Sequence, residues 1–195
     1  IHKLQPGCLI INNHHLAPFE GEDAQAFERD LPGENTAGYS GQEISRLPLE
    51  TCQTMNGMWG YKIKDQNYKS AKELIRLLVR TAAKGANLLL NIGPQPNGEL
   101  PATALDRLAD MGKWLNGNAG ESIYRTVAGE VALGDSIVST CGKGKKAPLY
   151  IHILTDKKDG EIAVTMKGKA KKATNLITGD KLAFRKDKAT GKTIF

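Results

Sequence analysis

Ser70-Ala71-Lys72-Glu73-Leu74-Ile75-Arg76-Leu77-Leu78-Val79-Arg80-Thr81-Ala82-Ala83-Lys84-Gly85-Ala86-Asn87-Leu88-Leu89-Leu90-Asn91-Ile92 is the stretch whose reading decides the fold class. Its first four residues fit a capping box, in which the Ser hydroxyl and the Glu carboxylate satisfy each other's backbone N–H groups at a helix start. Leu74, Leu77, Leu78 and Ala82 keep helical spacing, and Gly85 stands where a helix C-terminus wants a positive φ. A near-continuous apolar run, 87–92, follows at once. A strand of that kind directly after an amphipathic helix predicts a parallel sheet buried on both faces.

Working outward, Gly93-Pro94-Gln95-Pro96-Asn97-Gly98 is a turn-rich loop. Pro101 then opens a second helix with Leu105, Leu108, Met111 and Leu115 on one side, closed by Gly117. Upstream, 49–55 reads as a strand and Leu9-Ile10-Ile11-Asn12 as a short buried one. Between them, roughly 14–48, lies a polar stretch without periodicity, and a loop of that length in a compact domain is functional or disordered. The order is strand, long loop, strand, helix, strand, helix. It is α/β order, as in the last units of a (β/α)8 barrel or half of a doubly wound sheet.

Past Tyr124 the character changes. Short β-rich runs at 130–133, 136–140, 149–154, 161–166 and 172–176 are separated by Asp159-Gly160, Gly179-Asp180 and Gly191. Regular short strands with Gly turns read as an antiparallel sandwich, so the expected division is 1–123 and 124–195. Ile1-His2-Lys3-Leu4 reads as the last turn of a helix stopped by Pro6-Gly7, and 192–195 as the opening of a strand. On that reading the sequence is a piece of a longer protein, with the second domain truncated.

The chain has 195 residues, 40% of them hydrophobic and 25% charged, which suits one domain or two small ones and excludes collagen-like, coiled-coil and disordered classes. Its apolar runs are too short to span a membrane. The net charge of +6 is uneven: residues 142–195 carry 14 Lys/Arg against 5 Asp/Glu, a balance of +9, and the rest stands at −3. A basic segment can touch a polyanion. Here the lysines interleave with strand-like apolar residues, as on a solvated face. Cys8, Cys52 and Cys141 form no disulfide framework and no zinc spacing, and the first two are expected as buried thiols.

In a parallel α/β barrel, functional groups lie at the C-terminal ends of strands, and three places qualify. Asn12-Asn13-His14-His15 follows the first strand; extended backbone sends His14 and His15 to opposite sides, which argues against one shared metal and for a hydrogen bond to a polar ligand. Glu20, Glu22, Asp23, Glu28, Asp30 and Glu34 lack the spacing of a calcium loop but can include a general acid. Of these, Glu28 has Phe27 as apolar cover and Arg29 as a cationic neighbour. Residues 50–61 gather Met55, Met58, Trp59 and Tyr61 around Asn56 and two glycines, a plausible platform for an apolar sugar face. No phosphate-binding GxxxxGK[ST] or GxGxxG pattern occurs.

Leu47-Pro48-Leu49-Glu50-Thr51-Cys52-Gln53-Thr54-Met55-Asn56-Gly57-Met58-Trp59-Gly60-Tyr61 resembles the stretch of family 29 α-L-fucosidases that commonly reads W-E-x-C-x-x-x-x-x-x-W-G-Y. Gly85-Ala86-Asn87-Leu88-Leu89-Leu90-Asn91-Ile92-Gly93-Pro94, then Asn97-Gly98, is similar to that family's G-G-N-x-L-L-N-I-G-P-x-x-D-G. Gly112, Trp114, Leu115, Asn118, Gly120, Glu121, Ile123 and Tyr124 match its G-x-W-L-x-x-N-G-E-x-I-Y with one residue inserted.

The resemblance implies a (β/α)8-like catalytic domain followed by a β-sandwich, acting as a retaining, exo-acting α-L-fucosidase on fucosylated glycans, with no cofactor. It implies an Asp nucleophile, which in the family lies at a strand end upstream of the position of Ile1 and has no match here. It implies a carboxyl acid/base, for which Glu28 is the best match and Glu34 the alternative; Glu50, where Leu49 replaces the motif's Trp, is expected to be structural and is kept as a third candidate. His14 stands where many relatives have an Arg near the sugar, and Trp59 fits the aromatic beside the fucose ring. The implied location is secreted or periplasmic. Two other classes of function compete: a carbohydrate-binding fragment without catalysis, which would show exposed aromatics in its β-rich part, and polyanion binding, which would show steep salt dependence.

Overall fold

The computed structural model of the chain describes residues 1–13, 16–38, 43–144, 146–156 and 160–195. It divides into two compact units, 1–108 and 109–195, the division falling inside a helix.

The first unit is built on four parallel strands in sequence order: β1 (Ile11–Asn12), β2 (Ala24–Glu28), β3 (Leu49–Thr54) and β4 (Ala86–Asn91). Each strand lies beside the one before it, with no reversal of order. Helix α1 (Ala71–Ala83) connects β3 to β4 and lies against β4. Its start is the capping box read from the sequence: Ser70 N donates to Glu73 Oε2 at 2.7 Å and Glu73 N to Ser70 Oγ at 3.3 Å. It ends at Lys84, with Gly85 at φ +75° turning the chain into β4. Leu74 and Val79 are buried. A second helix, α2 (Ala102–Asn116), starts just after Pro101.

The register sorts the sheet into two faces. Phe27, Thr51 and Leu88 stand in one row, and Glu28, Cys52 and Leu89 in the next. Phe27 and Thr51 are buried, whereas Leu89 is 52% exposed. The face that carries Leu89 is thus only partly covered: Ala26 and Thr54 on it are buried, while Leu89, expected as buried, is exposed. The same face carries Glu28, Glu50 and Asn87. Leu105 and Leu108 of α2 are exposed too, at 49% and 38%, while Ala104 and Met111 are buried.

The stretch expected as one long loop contains β2. Ala24-Gln25-Ala26-Phe27-Glu28 has one large apolar residue and no alternation a sequence reader would trust. Its Gln25 is wholly buried, and both ends of its amide are satisfied: Nε2 donates to Glu43 O at 2.7 Å and Oε1 accepts from Ser45 N at 2.8 Å. A buried amide with both partners is tolerated in a core. Nearby acids serve the same pairing. Asp23 Oδ2 accepts from Ile10 N at 2.8 Å, and Glu22 Oε2 accepts from Asn12 Nδ2 at 3.0 Å.

After a 3-10 turn, η1 (Asn118–Ser122), the second unit has two antiparallel sheets of three strands: β5 (Thr126–Ala128), β6 (Ile137–Gly142) and β7 (Leu149–Ile153), ordered β5-β6-β7, then β8 (Ala163–Val164), β9 (Arg185–Lys186) and β10 (Thr193–Ile194), ordered β8-β10-β9. Two expected strands are not ladders. The segment 130–133 is tied down by a side chain, Ser139 Oγ, which accepts from Val131 N and donates to Val131 O, each at 2.8 Å. The segment 172–176 contributes only a bridge between Thr174 and Lys181. The three cysteines are half-buried rather than fully enclosed, and no described helix is long and apolar enough to cross a membrane.

His152 on β7 is a partly buried polar group of this unit. Thr140 Oγ1 donates its one proton to Ser122 O at 2.5 Å. His152 Nε2, 3.0 Å from Thr140 Oγ1, must then carry the hydrogen of that contact. Burial pushes the imidazole down to about 4. The unfolded chain, with its histidine near 6.5, takes up the proton first as the pH falls. Stability is therefore fully present above about pH 6.5 and declines toward pH 4, by on the order of 3 kcal/mol. Thermal unfolding followed across that range should show the decline, and His152→Gln should flatten it.

Candidate active site at the strand ends

All four parallel strands end at one edge of the sheet, and the chain leaving each end contributes to a shared group. Asn13 follows β1, and its Nδ2 donates to Glu28 Oε2 at 3.1 Å. Glu28 is the last residue of β2 and is half-buried. Among the described residues its other carboxyl oxygen has no hydrogen-bond partner. Phe27, expected as its apolar cover, turns to the opposite, buried face, as strand alternation requires. The neighbour across the register is Cys52. Burial pushes the Cys52 thiol up, and the charges of Glu28 and Glu50 push it further, so it stays a neutral thiol.

The loop after β3 carries the aromatic cluster and is held by polar side chains. Thr54 Oγ1 lies 2.8 Å from Met58 O, to which it donates, and accepts from Asn91 Nδ2 at 3.3 Å. Asn91, the last residue of β4, also donates to Trp59 O at 2.8 Å. Gly57 N donates to Asp65 Oδ2 at 2.9 Å, and Arg29 Nη2 donates to Gly57 O at 3.1 Å. Arg29 Cζ stands 4.9 Å from the centroid of the Trp59 ring, a cation–π contact. Beneath the loop, Lys69 Nζ donates to Thr54 O at 2.7 Å. Burial lowers this lysine from its ordinary value, and the charge of Arg29 lowers it further.

The other carboxylates read from the sequence lie elsewhere or are engaged. Asp30 is buried, its oxygens taken by Thr36 Oγ1 at 2.6 Å and by the backbone N–H groups of Thr36 and Ala37 at 3.0 Å each. Glu34 is half-buried and accepts from Leu31 N at 3.4 Å within its own turn. Glu50 accepts from Asn87 Nδ2 at 2.9 Å. It is four residues before the end of β3, about 13 Å along the strand from the site edge. His14 and His15 lie outside the described residues. Among the described residues no three His, Cys, Asp or Glu side chains come together as a metal-holding group.

Asn13, Arg29, Asp65 and Asn91 were not foreseen as members of one site. Asn13 and Arg29 carried only positional hints, as neighbours of His14 and Glu28. Asn91 stands in the L-L-N-I-G-P-like motif, which marks it without pointing to this loop, and nothing in the sequence around Asp65 marks it.

Comparison with known proteins bears on this geometry. The family model described as Alpha-L-fucosidase matches residues 1–120, more than half of the chain. The chain belongs to the alpha-L-fucosidase family. A rat plasma alpha-L-fucosidase is 42% identical over 80 residues, which cover 40% of this chain and 17% of that protein. A Dictyostelium discoideum alpha-L-fucosidase is 44% identical over 77 residues, 38% of this chain and 16% of that one. Among solved structures, alpha-L-fucosidase isoenzyme 1 from Paenibacillus thiaminolyticus superposes with a TM-score of 0.76 at 31% identity, covering 99% of this chain and 47% of the other. The Thermotoga maritima alpha-fucosidase in complex with fucose gives 0.73 at 20% identity, a likeness of fold, over 99% and 42%. The chain thus spans less than half the length of these relatives.

Gly93 tests how the site edge is packed. A Cβ there would collide with the backbone of Gly60 and Tyr61, whereas one at Gly60 would meet open space. Gly93→Ala should cost about 1–3 kcal/mol in thermal unfolding, as overpacking does, and should shift Trp emission. Gly60→Ala should stay within about 0.5 kcal/mol.

Proposed function

We propose that this chain supplies the acid/base half of a retaining, exo-acting α-L-fucosidase that removes terminal α-L-fucose from glycans. The observation that carries the proposal is Glu28 at the C-terminal end of β2, beside the Trp59 loop, in a chain of this family. In the finer architecture we infer, 1–123 are the last β/α units of a (β/α)8-like barrel and 124–195 belong to a β-sandwich. Strand order without reversal supports the barrel reading over a doubly wound sheet, whose order reverses at a switch point.

The chemistry is double displacement. An Asp supplied from outside these 195 residues attacks the anomeric carbon as the bond to the aglycone oxygen breaks. Glu28 gives its proton to that oxygen, so the alcohol leaves neutral. Glu28, now a carboxylate, takes a proton from water, whose oxygen attacks the same carbon and displaces the Asp. Two inversions return the original configuration, and Glu28 ends protonated as it began. Asn13 occupies one of its oxygens and leaves the other for the proton in transit. Trp59 offers an indole face to the apolar side of the sugar, and His14 is proposed to bond a hydroxyl. No cofactor takes part in the proposed reaction.

A carbohydrate-binding role for the second unit gains less support. Beyond residue 126 the aromatics are few: Phe184 and Phe195 pack on each other with centroids 5.8 Å apart, and Tyr150 Oη donates to Glu121 Oε1 at 3.2 Å. We also infer a secreted or periplasmic enzyme, in keeping with relatives named as plasma alpha-L-fucosidases.

In the complete enzyme, Glu28→Ala should slow fucosides with poor leaving groups by about 10²–10⁴-fold and aryl fucosides far less. Added azide should restore part of the turnover, because a small anion replaces the missing base. The same pattern at Glu34 with none at Glu28 would move the acid/base to Glu34.

A further inference from the structure

Arg29 holds an unusual backbone for a residue with no obvious role. Its φ is +62°, in the left-handed region that costs an L-residue about 1 kcal/mol or more. The conformation is pinned on both sides. Arg29 N donates to Cys52 O at 2.9 Å, and Gln53 Nε2 donates to Arg29 O. The bend it makes directly after Glu28 sends its side chain across the end of β3 to the aromatic loop. There the guanidinium does two things: it donates to Gly57 O and lies over the Trp59 ring. Gly57 is thereby held at both ends of its backbone by opposite charges, its N–H on Asp65 and its carbonyl on Arg29.

We propose that Arg29 is a positioning residue for sugar binding. It covers one face of Trp59 and fixes the plane of the ring, leaving the opposite face as the one on which the apolar side of fucose stacks. Among the described residues that opposite face carries no other ring or cation contact. A guanidinium suits this task better than an ammonium, because its plane stacks on the indole while its edge still donates to the Gly57 carbonyl. The proposal rests on the reading of Trp59 as the sugar platform. Arg29 does not touch the reacting atoms, so its effect belongs in substrate binding rather than in the chemical step.

The Arg29 backbone bonds survive any side-chain change, and Gly57 is exposed, so a freed carbonyl finds water and the variants should fold. In the complete enzyme the test compares Arg29→Gln and Arg29→Lys on an aryl α-L-fucoside, each with and without Trp59→Phe so that the Trp59 emission is obtained by difference. Arg29→Gln should raise KM about tenfold, the size a cation–π contact supports, with kcat within about twofold. Arg29→Lys should recover part of that loss. Trp59 emission should shift to the red in Arg29→Gln and partly back in Arg29→Lys, a signature a merely structural residue would not give. An unchanged KM, or a loss confined to kcat, overturns the positioning role while leaving Trp59 as the platform. If Trp59→Leu also leaves KM unchanged, the platform reading and the proposal built on it both fall.

Discussion

The parallel, in-order pairing of β2, β3 and β4 is the constraint on which the rest of the first unit depends. Because Glu28 stands opposite Cys52, and Thr54 opposite Asn91, every strand delivers its last residue to the same edge. Parallel strands need crossovers rather than tight hairpins, and α1 is one such crossover. Side chains distant in sequence meet at that edge. A slip of one residue in β2 would turn Glu28 toward the covered face and Phe27 outward. Burial of Phe27 and Thr51 therefore fixes where the acid points.

The site built on that edge is held by polar side chains answering backbone groups. Thr54, Asn91, Asp65, Arg29 and Lys69 each bond a carbonyl or N–H of the chain between 54 and 59. A loop with three glycines or aromatics in a row has little hydrophobic reason to adopt one shape, and these bonds supply the reason. Gly93 completes the arrangement by letting the end of β4 pass close to Gly60 and Tyr61. The division of labour is clear: apolar burial sets the register, and amides and charges set the loop.

What was legible in the sequence follows the same division. The capping box at Ser70, the stop at Gly85, the strands β3 and β4 and the second helix rest on local signals, and each stands where those signals put it. Strand β2 was missed, because its burial of Gln25 depends on Glu43 and Ser45, partners some twenty residues away. The segment at 130–133 reads as a strand but forms no ladder: Val131 is held by Ser139 Oγ, and Leu133 makes only isolated bridges. Glu28 is proposed from its sequence neighbours and, more strongly, from the family resemblance; its surroundings in the structure, Asn13 and Cys52, exist only once the strands are paired. Phe27 misled for the same reason, since adjacency in sequence means opposite faces in a strand.

The central proposal is that Glu28 of these residues is the acid/base and that the nucleophile is an Asp outside them. The direct measurement is hydrolysis of an aryl α-L-fucoside by the 195-residue chain, beside the same chain with its natural preceding sequence. The account predicts turnover only when the preceding sequence is present, because only then are both carboxylates in one site. Turnover by the 195 residues alone would contradict it, since they would then contain a nucleophile. Silence from both would contradict the fucosidase reading itself.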